Sequence, residues 1–127
     1  MRSTVAASSS SSVSGEEARV CVVLVTVPDE ETGRVLALEV VEAGLAACGS
    51  LVPGLTSVYR WEGEIRRDPE CLVIFKTSAA RVSALRERVV EDHPYEVPEV
   101  LALPVVEGHL PYLEWVQGEV ERVEGTE

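Results

Sequence analysis

The chain has 127 residues, a length typical of one domain with a hydrophobic core of its own. It carries 22 acidic and 11 basic residues, a formal net charge of −11. This balance disfavours nucleic acid and anionic membranes as partners, because both are negatively charged.

The residues before the first apolar run form a serine-rich stretch without the apolar region of a secretory signal. We therefore predict a disordered tail at residues 1–18, one folded domain at residues 19–120 and an acidic tail at residues 121–127. No apolar run approaches the ~20 residues that a membrane-spanning helix needs. The three cysteines include no Cys-x-x-Cys pair, so we expect free thiols and a cytoplasmic, reducing location.

The first predicted element is a strand at residues 20–27, a continuous β-branched run typical of a central strand buried on both faces. Pro28 ends this strand, and Asp29 occupies the N-cap position of a helix of about fourteen residues that ends near Gly44. Apolar residues recur every three or four positions in this helix, which predicts a buried face. That face would contain Val35, Leu38, Val41 and Leu45.

A long hairpin is predicted next. The Pro53-Gly54 pair indicates a turn or a bulge at a sheet edge, and strand character resumes at residues 55–61. Residues 62–64 are a short glycine-containing link, and the return strand is predicted at residues 65–76. Pro69 within it indicates an edge or an irregularity, because proline cannot donate a ladder hydrogen bond.

A second helix is predicted from Ser78, its capping residue, to a point near Asp92, because Pro94 disfavours helix just before it. Its apolar stripe would contain Val82, Leu85 and Val89. A fourth strand at residues 99–106 and a short final helix at residues 111–120 complete the domain.

The element order β-α-β-β-α-β, then α, predicts an α+β fold, the ferredoxin-like split βαβ sandwich, with a long β-hairpin arm. Right-handed crossovers place both long helices on one face of the antiparallel sheet. The opposite face is also apolar, and the final helix is too short to cover it. We therefore predict self-association, with the arm at residues 55–76 reaching a neighbouring subunit.

Several local strings carry a family resemblance, among them SVYRWEG at residues 57–63 and HPYEVPE at residues 93–99. In order and spacing, over residues 20–118, the strings resemble the CutA family of divalent-cation tolerance proteins. The resemblance implies a PII-like trimeric architecture, a homotrimer whose sheets pack together. It also implies a role in tolerance of divalent cations, with copper as the usual candidate, and no established reaction. The other strings lie at residues 23–26, 28–29, 44–48, 53–54, 75–77 and 112–115.

His93 and Cys48 are the predicted metal ligands, because copper(II) prefers imidazole and copper(I) prefers thiolate and imidazole. His109 lies sixteen residues from His93, which is not a local ligand spacing. Some members of the family resembled carry further candidate ligands where this chain has Asp92 and Val25. The alternative is that Cys48 is packed and His93 serves only in hydrogen bonding.

A second set of residues mixes aromatic rings with single charges near strand ends and in the linker before the fourth strand. We predict that this set lines a cleft between subunits and binds a small anion or metabolite, as PII-like sensors do. The alternative is that Tyr59 and Trp61 are subunit-interface anchors. The set consists of Tyr59, Trp61, Lys76, His93, Tyr95 and Glu99.

The sequence contains no nucleophile-elbow, phosphate-loop or dinucleotide-binding motif, so we predict a protein that is not an enzyme. Three functions remain open at this point. The first is a metal-ion response protein that binds copper or another divalent cation weakly. The second is a PII-like sensor of a small ligand, and the third is a ligand-free trimeric scaffold for a partner protein.

Overall fold

The computed structural model describes residues 19–125, so the predicted tail at residues 1–18 lies outside the described residues. Within this described range, seven helices and strands follow one another, with a short 3-10 turn at Ala79–Arg81 inside the second crossover. They are β1 (Val20–Val27), α1 (Glu30–Glu42), β2 (Cys48–Trp61), β3 (Glu64–Ser78), α2 (Val82–Asp92), β4 (Val100–Pro104) and α3 (Leu110–Gly125).

The four described strands form one antiparallel sheet in the order β2-β3-β1-β4. This order, with α1 and α2 packed together on one face, confirms the predicted ferredoxin-like α+β fold. Alternate side chains of the two central strands form the core under these helices, because successive residues of a strand point to opposite faces. Val23, Val25, Val73 and Phe75 are fully buried there.

The start of α1 follows the sequence prediction. Asp29 has an extended backbone, and its Oδ1 accepts a hydrogen bond of 2.7 Å from the Thr32 backbone N–H. Glu30 and Glu31 place negative charge in the first turn, where the helix dipole favours it. The N-cap prediction is confirmed.

The predicted buried face of α1 is wrong at two of its four positions, and of the other two Leu45 packs against the core. Val35 and Leu38 are 47% and 58% exposed, and a neighbouring stripe that includes two small residues faces the sheet instead. A Cβ added at Gly33 would lie 3.2 Å from methyl carbons of Val27 and Val73, so the helix backbone approaches the sheet too closely for a bulky side chain there. The buried stripe consists of Gly33, Leu36, Ala37 and Val40.

The hairpin arm, the part of β2 and β3 from Leu55 to Glu70, extends beyond the rest of the sheet. The register shifts between Val52 and Leu55, which confirms the predicted irregularity at Pro53-Gly54. Strand β1 pairs with β3 only from Cys71 onwards. Within the described residues, the part of β3 before Cys71 therefore has one free edge, and Pro69 lies in that part. The arm ends in a two-residue turn, Glu62-Gly63, in which both φ angles are positive.

Helix α2 also agrees with its pattern. Leu85 and Val89 are fully buried and Val82 packs against the core, and the helix ends at Asp92. Ser78 occupies the N-cap position of the preceding 3-10 turn, but its side chain makes no capping hydrogen bond. Ser78 therefore occupies the predicted capping position, but the predicted capping hydrogen bond does not form.

Helix α3 is longer than predicted and continues to Gly125. It packs on the second face of the sheet, against β1 and β3, and buries Val116 and Val120 completely or nearly so. The Arg81 guanidinium donates a 3.1 Å hydrogen bond to the carbonyl oxygen of Val120, which ties α3 to the second crossover.

The bare sheet face is the part of the second face that α3 leaves uncovered, formed by apolar side chains of all four strands. On its outer strand β4, Leu101 and Leu103 are 54% and 45% exposed. Apolar area of this kind normally lies against another element or another subunit. The remaining apolar members of this face are Leu24, Val52, Leu72 and Ile74.

Candidate functional site

A cavity of about 620 Å³ lies between the hairpin arm and the segment that links α2 to β4. Hereafter it is called the arm cavity. Four of the six residues predicted for a small-ligand cleft line it: Tyr59, Trp61, Tyr95 and Glu99. Their convergence depends on the antiparallel pairing of the arm, which places alternate residues of β2 and β3 on the same face.

Hydrogen bonds through Glu70 join the linker to the arm. The Tyr95 hydroxyl donates to Glu70 Oε2 at 2.7 Å, and the Ser57 hydroxyl donates to Glu70 Oε1 at 2.6 Å. The Tyr59 hydroxyl donates to Asp68 on the same face of the arm. Both rings are therefore held by carboxylates of β3.

These contacts keep both hydroxyls protonated. Burial, together with the hydrogen bond to Glu70, raises the pKa of Tyr95 well above its usual value. The hydrogen bond to Asp68 is the main reason why the pKa of Tyr59 is raised. The two phenols act as fixed hydrogen-bond donors rather than as bases.

His93 does not line the arm cavity and lies beside β1 and α1, at a smaller cavity of about 250 Å³. Its Nδ1 accepts a 3.0 Å hydrogen bond from the Tyr95 backbone N–H, which requires that nitrogen to be unprotonated. Its Nε2 therefore donates to the Thr26 carbonyl oxygen at 2.7 Å. Both ring nitrogens already have partners, and the ring contacts that of Tyr95 in a tilted arrangement, with 4.8 Å between the ring centroids.

Cys48 lies at the opposite end of the sheet from His93. Its Sγ is 3.9 Å from Lys76 Nζ and 3.7 Å from the Tyr112 hydroxyl oxygen of α3. Lys76 pairs with Val22, four residues before Thr26 on β1, which corresponds to about 13 Å along the strand. One subunit therefore does not bring Cys48 and His93 together, nor does it bring Lys76 to the arm cavity.

No cluster of three or more His, Cys, Asp or Glu side chains arranged for a metal ion occurs within residues that the structure describes. The other two thiols belong to the core, where burial raises the pKa of Cys21 and of Cys71. A raised pKa lowers the thiolate fraction and therefore the reactivity of both thiols.

The sequence reasoning missed the polar residues of the arm, and one of the linker before β4, that contact or surround the tyrosines. Alternation along β3 was the available signal, because every second residue of a strand shares a face with its neighbours two positions away. This alternation shows which residues face the tyrosines only when the register of β3 with β2 is known. The missed residues are Ser57, Arg66, Asp68, Glu70 and Glu96.

Comparison with known families identifies the chain. A family model described as CutA1 divalent ion tolerance protein matches residues 21–119. The chain belongs to this CutA1 family.

Relatives in the family cover the same region. The divalent-cation tolerance protein CutA of Thermus thermophilus is 52% identical over 96 residues, which are 76% of this chain and 93% of that protein. Protein CutA 1, chloroplastic, of Oryza sativa is 50% identical over 96 residues. The match spans only 54% of the rice protein's length.

A solved structure agrees with the fold. The divalent cation tolerance protein Cut A1 from Thermus thermophilus superposes with a TM-score of 0.75 at 52% sequence identity. The superposition covers 76% of this chain and 94% of that structure. Within residues 19–125, none of the helices is long and apolar enough to cross a membrane.

Proposed function

We propose that this protein serves divalent-cation tolerance as a homotrimer that binds copper weakly. The observation that carries the proposal is the 52% identity to a bacterial divalent-cation tolerance protein over nearly all of that protein's length. The family description names tolerance and no reaction, and we propose a role that is not catalytic. For the compartment we propose the cytoplasm, since the free thiols are compatible with a reducing environment.

The bare sheet face supports the homotrimer. Exposed Leu101 and Leu103 lie on β4, at one edge of the sheet, and the arm extends from the other edge. A ring of three subunits in which sheets pack together would bury both features of every copy. Light scattering on a size-exclusion column should give three chain masses, and a folded monomer would contradict this assembly.

Weak copper binding is supported by the chemistry of two side chains. Cys48 supplies a half-exposed thiol and His93 an imidazole, the ligand types that copper prefers. A metal at His93 would replace its hydrogen bond to Thr26 or to Tyr95, and that loss would lower the affinity. Ligands from different subunits would have to converge, because one subunit holds the two residues apart.

Copper titration tests this proposal. Copper(II) is titrated calorimetrically into the protein and into His93→Ala and Cys48→Ala, with zinc as competitor. The exposed His109→Ala serves as the matched control, since it removes an imidazole outside the proposed site. We expect copper binding to saturate at a fixed ratio per trimer in the natural protein and in His109→Ala. One or both of His93→Ala and Cys48→Ala should lose this saturable binding. Equal, unsaturated heats in all variants would mean that the acidic surface collects cations without a site.

The arm cavity favours a second candidate function, a PII-like sensor of a small ligand. Its volume of about 620 Å³ falls within the range of roughly 300–1,000 Å³ typical of small-molecule sites. One wall is the hairpin arm, so a bound ligand would order the arm and change the surface offered to a partner protein. Hydrogen exchange of residues 55–76 with and without added metabolites measures this directly, and unchanged exchange with every compound that binds would contradict it.

A further inference from the structure

We infer that the arm cavity binds an organic cation, a quaternary ammonium or protonated amine with a small apolar body. This inference rests on the proposed sensor function and names the ligand class of that cavity. It replaces the anion predicted from the sequence, because Lys76, the cation in that prediction, lies at the other end of the sheet.

The charge of the lining selects a cation. Four carboxylates line the cavity against one guanidinium, that of Arg66. An anion would face repulsion from most of this surface, whereas a cation would gain from it in a partly desolvated space. The four carboxylates belong to Asp68, Glu70, Glu96 and Glu99.

The carboxylates divide into two pairs with different roles. Asp68 and Glu70 accept hydrogen bonds from the tyrosine hydroxyls and so fix the two rings. Glu96 and Glu99 have no hydrogen-bond or salt-bridge partner among the described residues, which leaves their charge available to a ligand.

The aromatic lining selects an organic cation rather than a bare metal ion. Tyr59, Trp61 and Tyr95 all line the cavity, and the faces of such rings attract ammonium groups within about 6 Å. A metal ion would need three or more converging ligands, and no such cluster occurs in the described part of the chain. The cavity is also far larger than one dehydrated metal ion requires.

Choline and its neutral isostere 3,3-dimethylbutan-1-ol provide the test, because they share a shape and differ in charge. Each is titrated calorimetrically into the full chain at physiological ionic strength, with acetate as an anionic control. We expect saturable choline binding, at least about tenfold weaker binding of the isostere, and none of acetate, since the ring and carboxylate contributions both require positive charge.

Matched variants locate the site. Glu99→Gln should weaken choline binding severalfold, whereas Glu91→Gln, an exposed carboxylate on α2 outside the cavity, should leave it unchanged. Tyr59→Leu and Trp61→Leu should also weaken binding, with circular dichroism confirming that each variant folds. Equal binding of choline and the isostere, equal losses in Glu99→Gln and Glu91→Gln, or no saturable choline binding would each overturn the inference.

Hydrogen exchange of the arm separates this inference from the sensor function. Choline that binds without protecting residues 55–76 would leave the cation site standing and contradict the sensor function. Neutral or anionic metabolites that protect the arm while cations do not would support the sensor function and overturn the cation site.

Discussion

At the scale of single residues, the hydrogen bond from Tyr95 to Glu70 joins two walls of the arm cavity. It joins residues 25 positions apart and connects the linker before β4 to the hairpin arm. Because Ser57 occupies the second oxygen of the same carboxylate, Glu70 is held from both sides. The shape of the cavity therefore depends on a few polar side chains.

Tyr95→Phe should alter the stability of the protein at alkaline pH. Burial and Glu70 raise the pKa of Tyr95, so the folded state keeps a proton that the unfolded chain begins to lose near pH 10. The free energy of unfolding of the natural protein should therefore fall as pH rises above about 10, and Tyr95→Phe should reduce this fall. Urea denaturation between pH 8 and 11 measures the difference, and parallel profiles would contradict the argument.

Asp29 should make the stability of the protein fall as the pH becomes acidic, the opposite direction of pH from Tyr95. The Thr32 N–H lowers the pKa of Asp29, so its stabilising contribution is complete above the ordinary Asp pKa and is lost as pH falls through the lowered value. Asp29→Ala should melt below the natural protein at neutral pH, and the gap should narrow in acid. Asp29→Asn, which retains an acceptor oxygen, should stay close to the natural protein at neutral pH. Thermal melts from pH 2 to 7 test both.

At the scale of elements, packing distance decides which face of α1 is buried. Gly33 and Ala37 lie against the sheet, and the bulkier Val35 and Leu38 are exposed. The helix–sheet distance is thus set by small residues, as it is at close helix contacts generally. A hydrophobic stripe in the sequence does not by itself show which face of the helix packs against the sheet.

The same substitution in two helices tests this account. Gly33→Ala gains helix propensity but places a Cβ 3.2 Å from two valine methyl carbons, and overpacking of about 1–3 kcal/mol should prevail. Gly118→Ala in α3 meets nothing within 4 Å and should stabilise by roughly 0.5–1 kcal/mol. Chemical denaturation gives both values, and a stabilised Gly33→Ala would show that the sheet yields to the added methyl group.

At the scale of the whole molecule, the bare sheet face and the free arm are the features that one chain leaves unsatisfied. The core under α1 and α2 is complete, whereas the second face carries α3 at one end and apolar side chains elsewhere. Exposed apolar area of this extent favours association. The proposed homotrimer accounts for it with copies of the same chain.

Two leucines of similar exposure distinguish the two faces. Leu101→Glu on the bare sheet face should reduce the mass measured by light scattering towards that of one chain, because the carboxylate would be buried in the proposed interface. Leu38→Glu on the outer side of α1 should leave the mass unchanged. Equal masses for both variants would place the interface elsewhere.

Much of this fold was predictable from sequence because its signals are local. Four of these signals depend only on neighbours within a few residues: the β-branched run of β1, the Asp29 cap, the glycine turn at Gly63 and the apolar stripe of α2. The element order then left few topologies, since crossovers are right-handed. The sequence also grouped four of the arm cavity residues, within strings that resemble the CutA family.

The remainder depended on residues far apart in the chain. The buried stripe of α1 follows from its distance to Val27 and Val73, and the burial of Val116 and Val120 follows from the packing of α3 on β1 and β3. The sequence groups Lys76 with Tyr59 by chemistry and by position near strand ends. The register of β2 and β3 separates the two, since Lys76 pairs with Cys48 and Tyr59 pairs with Arg66. The sequence by itself determined the elements, their order and the family. Only the tertiary structure decided which side chains meet, because strand register and helix packing are set by contacts that no local pattern encodes.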